Sequence, residues 1–213
     1  MQNSSILKNE LIFEYAAGTA SLAKSLMAST YLFLNVDEAS TYNQFENYCG
    51  EELKNTIPIK PAKLTMKDCI IDNHEIDKNK IKNKNPLKKF IPSYVDLKWK
   101  NVFRGFYEFS LKLSTDESIK IVKMDPGTTV PLHSHQGKEY ILVLEGSFSD
   151  EYGTYHKGNL QINDFNVKDK PFSSDKNGCI CLTITDEKLV FYWPFALILN
   201  LLTFVKSLFF PNR

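Results

Sequence analysis

Histidines 133 and 135 stand one residue apart and a glutamate follows at 139, inside the run Gly127-Thr-Thr-Val-Pro-Leu-His-Ser-His-Gln-Gly-Lys-Glu. On an extended strand, residues i and i+2 share a face, so both imidazoles project to one side. The Gln136-Gly137 turn then opens a second strand with the carboxylate of Glu139 beside them. Two neutral imidazoles and a carboxylate on one wall suit a borderline divalent ion such as zinc, iron, manganese, nickel or copper, and suit calcium poorly. The competing reading is a pair of strand histidines facing solvent. The chain holds four histidines, and placing two of them at this spacing between Gly127 and Gly146 argues for the buried cluster.

The surroundings of this run are β in character. Tyr107, Phe109, Leu111 and Leu113 alternate with Glu108, Ser110 and Lys112. Further short strands are predicted at 119–124, 139–144, 178–185 and 189–193, separated by turn signals at Asp125-Pro126-Gly127, Tyr152-Gly153 and Lys157-Gly158. Many short strands over roughly a hundred residues predict an antiparallel sandwich or small barrel at 94–193. Tyr140, Glu151 and Tyr152 are candidates for a barrel mouth, although strand aromatics more often serve packing. His156, just before Gly158, falls in an expected exposed turn.

The first quarter reads differently. Leu7, Leu11, Ile12 and Tyr15 recur at helical spacing, and Leu22, Leu26 and Phe33 continue a stripe beyond Gly18. A third helix is predicted from Ala39 to Leu53, capped by Ser40 or Thr41, with Tyr42, Phe45 and Cys49 on one stripe. A helical module at 1–53 therefore precedes a linker at 54–93, which carries Pro58, Pro61, Pro86, Pro92 and a run rich in lysine and asparagine. The fold class expected is α+β. The apolar stretch at 191–210 is interrupted by Pro194, Asn200 and Lys206, so a packed helix within 194–213 is expected and no membrane span.

Charge narrows the function. The chain has 26 basic and 25 acidic residues, which leaves no overall field to draw nucleic acid or an anionic membrane as a direct partner. The polar start shows no secretory signal, so a cytoplasmic location is expected. Cys179 and Cys181 lie two apart on one predicted strand and Cys49 and Cys69 stand alone, a pattern of reduced thiols.

Gly127, five residues, His133-x-His135, three residues, Glu139, six residues and Gly146 resembles the first cupin motif without a gap. The second motif asks for a glycine opening a strand and a histidine about eleven residues on; Gly158 meets the first request and the second falls on Asp169. As the resemblance implies, the sheet is a cupin β-barrel and the ligand set is His133, His135, Glu139 and Asp169. Zinc is the first choice of metal, then iron or manganese. Aspartate is a competent oxygen ligand, while the alternative leaves Asp169 as a turn residue and a water in its place.

The hairpin Glu145-Gly146-x-Phe148-Ser149-Asp150-Glu151-x-Gly153, with Cys179-Ile-Cys-Leu and the early Tyr15-Ala-Ala-Gly-Thr, is similar to ChrR-type anti-sigma factors with a C-terminal cupin domain. That resemblance implies a transcriptional regulator whose helical module occludes an ECF-type sigma factor, with the cupin half responding to oxidative stress. It assigns no catalytic residue. The alternative is a metal-dependent cupin enzyme such as a small dioxygenase, with the helices as an extension that packs on the barrel or supports a homodimer. One departure stands out: the family's His-x3-Cys-x2-Cys zinc element aligns with Tyr31, Asn35 and Glu38, and no histidine precedes His74. The module is then expected to be held by packing of Leu22, Leu26, Leu32 and Leu34 alone.

Overall fold

The computed structural model describes residues 2–56, 85–113, 115–135, 137–163, 167–174, 176–185 and 189–191. The helix expected within 194–213, the lysine-rich part of the linker and Cys69 lie outside the described residues.

Three helices lead the chain: α1 (Gln2–Ala16), α2 (Leu22–Leu34) and α3 (Ala39–Lys54). Gly18 ends α1 with φ +72, a left-handed turn that glycine adopts without a Cβ clash. The Ser21 side chain caps α2 by accepting from the Lys24 amide at 3.2 Å. Asn35 closes the other end, where its side-chain amide donates to the Tyr31 carbonyl at 2.9 Å. α3 starts differently from expectation: the chain enters it through a 3₁₀ turn (Val36–Glu38), so Ser40 and Thr41 fall inside the first turn and neither caps it.

The inner face of α2 includes Ala23, Leu26, Met27, Thr30 and Tyr31, which keeps Leu26 of the expected stripe and otherwise differs from it. Leu22, predicted to point inward, is 49% exposed. Leu11 and Ile12 of α1 are buried beside it.

The second half is antiparallel. β3 (Ser118–Met124), β10 (Cys179–Thr185) and β5 (Glu139–Ser149) lie side by side at its centre, with β2 (Phe106–Leu111) and β1 (Lys100–Phe103) beyond β3. β7 (Leu160–Asn163) pairs with the first half of β5, while β6 (Thr154–His156) and β9 (Phe172–Ser173) pair with its end. A second sheet has β4 (His133–His135) between β8 (Lys168–Asp169) and β11 (Leu189–Phe191). Strand pairing does not close into a ring among the described residues, although the α+β class with a cupin-type antiparallel half stands.

Alternation gives the larger sheet two apolar faces. Ile119, Ile121, Tyr140, Leu142, Leu144, Ile162, Leu182 and Ile184 share one core with α1 and α2. Met124, Val130, Ile141, Val143, Phe148, Cys179 and Cys181 form a second core on the other face. The helices therefore roof the sheet. Leu87, in a 3₁₀ turn (Pro86–Lys89), and Ile91 are buried in the same core as α2.

Packing is not alone in holding the helices. At the positions of the absent zinc element, the Lys8 ammonium meets the Glu38 carboxylate at 2.5 Å, and the Tyr31 hydroxyl donates to the same oxygen at 3.1 Å. This cluster ties α1 to the end of α2 and the turn into α3. The hydrogen bond from Lys8 holds the Glu38 carboxyl below its ordinary 4.5, against the opposing effect of burial, with the Lys8 charge and the Tyr31 and Thr41 hydroxyls helping. Burial first, then Glu38, pushes the Tyr31 hydroxyl upward, so it stays a donor. A carboxyl lowered in the folded state stabilises it above its unfolded value, and that contribution disappears as pH falls through the folded value. Replacing Glu38 by Gln is expected to remove about 1 kcal/mol or less near neutrality and to flatten the stability curve below pH 4.5. Urea unfolding at neutral pH and through a series of values below pH 4.5 checks this, because a lowered carboxyl titrates there; an unchanged acid limb contradicts it.

Candidate metal centre

Three buried polar side chains converge from three strands. His133 opens β4 and pairs directly with Asp169 of β8, and Glu139 opens β5. One ligand atom from each of His133, Glu139 and Asp169 lies within 4.8 Å of the others. The His133 Nε2 to Asp169 Oδ1 distance is 3.2 Å. Asp169, placed by spacing alone, is thus brought beside His133. His135 sits two positions along β4 opposite Leu189, and its side chain lies outside the described residues.

The orientation of His133 is set from behind. Its Nδ1 lies 2.9 Å from the Pro131 carbonyl, which only accepts, so Nδ1 carries the proton and donates. In the neutral ring Nε2 then holds a lone pair, and that lone pair faces a carboxylate oxygen. Two electron-rich atoms at this distance need a proton or a cation between them. Asp169 is fully buried, with His133 and Glu139 nearly so. Burying two carboxylates beside an imidazole is costly, and a divalent cation among them would offset that cost. Nitrogen and oxygen donors with a backbone-fixed imidazole fit such an ion.

Sequence reasoning missed Asn163. It lies directly opposite Glu139 across the β5–β7 pair, and its side-chain amide donates to Asp169 Oδ2 at 3.3 Å. Nothing in its neighbours along the chain marked it, because a lone asparagine more often serves a turn than a buried site.

The other candidates are dispersed. Tyr140 points to the helices and is buried there, with the Lys24 ammonium 5.9 Å from its ring. Tyr152 is exposed on the β5–β6 hairpin, and His156 is exposed at the end of β6. Cys179 and Cys181 are free and buried, with sulfurs 4.0 Å apart on the inner face of β10. The hydrogen bond with Cys179, then burial, pushes the Cys181 thiol up, and Glu139 adds to the effect. A thiol held that way is a poor nucleophile.

Comparison with known proteins gives three findings. Residues 88–188 match the family model described as the ChrR cupin-like domain. The anti-sigma-E factor ChrR of Cereibacter sphaeroides is 26% identical over 197 residues, which span 87% of this chain and 91% of that protein. The crystal structure of Rhodobacter sphaeroides SigE in complex with the anti-sigma ChrR superimposes with a TM-score of 0.70 at 26% identity, covering 84% of this chain and 96% of that one. No helix among the described residues is long and apolar enough to cross a membrane.

Proposed function

From a chain whose residues 88–188 belong to the ChrR cupin-like domain family, we propose an anti-sigma factor that sequesters an ECF-type sigma factor through its helices and senses stress through a metal-binding cupin half. One observation carries this reading. The likeness to ChrR runs through both halves and takes in 91% of that protein, so it embraces the helical module as well as the sheet.

The mechanism is occlusion. α1 and α2 spend their inner faces on the cupin sheet, which leaves Ile6 and Phe13 of α1 and Tyr48 and Leu53 of α3 exposed. Those residues form the apolar surface offered to the sigma factor, in the manner of a helix laid against a groove. The Lys8–Glu38–Tyr31 cluster keeps α1 and the start of α3 in place for that contact without a metal in the module.

In the cupin half, His133, Glu139 and Asp169 would hold a divalent ion, with His135 as a further ligand; zinc comes first, then iron or manganese. The ion would neutralise the buried carboxylates and supply a centre open to exchange of ligands, and to oxidation where the ion is iron or manganese. The location proposed is the cytoplasm, where a sigma factor meets RNA polymerase.

Transcription in vitro tests the reading. Addition of the full chain to polymerase loaded with an ECF-type sigma factor from the same genome is expected to silence that factor's promoter and to leave a housekeeping promoter active. Unchanged transcription from every ECF-type promoter tried contradicts the proposal.

A further inference from the structure

Strand β7 touches both halves of the molecule. Leu160 and Ile162 face the helices and pack in their core, whereas Gln161 and Asn163 face the opposite side. At the far end, Asn163 sits opposite Glu139 and donates to Asp169 at 3.3 Å. At the near end, the Asn35 side chain at the close of α2 donates to the Gly158 carbonyl at 2.9 Å while also bonding the Tyr31 carbonyl. Gly158 is held at φ +87, and a Cβ there would come within 3.3 Å of the Asn35 side chain. Helix end and hairpin are therefore in close contact. Gln161 fixes the middle of the strand, its amide donating to Asp150 at 2.6 Å.

We propose that Asn163 is a positioning residue for the metal centre, and that β7 carries the state of that centre to the helical module through the Gly158–Asn35 contact. The inference rests on the metal-centre reading above. Asp169 shifts toward or away from a bound ion, its Oδ2 contact draws Asn163, and a strand pinned at both ends transmits the change to the seat of α1 and α2. A rigid element shared by two sites is the physical requirement for such coupling.

The test uses the full chain, with Zn²⁺ as the ligand, amide hydrogen exchange as one readout and the visible absorption of the Co²⁺-loaded chain as another. One equivalent of Zn²⁺ is expected to slow exchange in β7 and in α1 and α2 by about fivefold or more. Asn163→Leu is expected to keep the metal stoichiometry, to shift the Co²⁺ band and to lose the slowing in α1 and α2. Asn163→Gln, which retains an amide donor, restores both. Asn35→Ala keeps the response in β7 and loses it in α2. Equal slowing of α1 and α2 in the parent, Asn163→Leu and Asn35→Ala overturns the inference, as does Zn²⁺ binding that leaves α1 and α2 unchanged. Should Zn²⁺ not bind, the metal reading fails separately, and Asp169→Asn then perturbs the centre in its place. Altered exchange in β7 and α2 of that variant supports the coupling, and unaltered exchange overturns it.

Discussion

His133→Ala is expected to leave the chain without stoichiometric metal. The imidazole is the one nitrogen donor in the buried triad, and the Pro131 carbonyl fixes its tautomer so that Nε2 faces the site. Its removal leaves two buried carboxylates and His135, a set one nitrogen donor poorer than a borderline ion favours. Elemental analysis after gel filtration should fall from about one metal per chain to background. Asp169→Ala is milder, with affinity falling by about 10- to 100-fold. Its partner His133 and the Glu139 carboxylate remain. Full metal retention by the His133→Ala, His135→Ala double variant refutes the site.

Gly146→Ala is expected to unfold the sheet or bring it close to unfolding. β5 bends at this residue: its first half pairs with β10 and β7, and its last residues pair with β6 and β9. Gly146 takes φ +70 at the bend, and a Cβ there would lie 2.1 Å from the Gly178 carbonyl oxygen. A left-handed backbone costs about 1–3 kcal/mol for a residue with a Cβ. Relief of the overlap costs about 1–3 kcal/mol more, because the neighbour is the backbone that leads directly into the central strand β10. Against a total stability of about 5–15 kcal/mol, that is a large share. Thermal unfolding checks it; a melting temperature within a few degrees of the parent contradicts it.

The motif glycine and the cluster of His133, Glu139 and Asp169 were legible because local rules govern them. A period of two placed His133 on a strand with its carboxylate neighbour, and a count of residues from Gly158 placed Asp169. The helices were legible as helices, and so was the inner stripe of α1, but the inner face of α2 was read correctly only in part, at Leu26. α2 carries Leu22, Leu26, Leu32, Phe33 and Leu34 around much of its circumference, so several stripes satisfy the pattern, and the smaller Ala23 and Met27 are the ones the sheet selects. The Lys8–Glu38 pair spans 30 residues and Asn163–Asp169 crosses two strands. Such contacts depend on how elements meet in space, which no run of neighbours records. The roofing of the cupin sheet by α1 and α2 was foreseen merely as one alternative, an extension packing on the barrel. It now coexists with the anti-sigma reading, since the outward faces of α1 and α3 remain for a partner.

Direct mixing of the full chain with an ECF-type sigma factor from the same genome is the most decisive measurement. Size-exclusion chromatography with light scattering at micromolar concentration is predicted to show a one-to-one complex, lost on placing charge at Ile6 and Leu53 together. The absence of a complex with every such factor, or a complex indifferent to those two residues, contradicts the account.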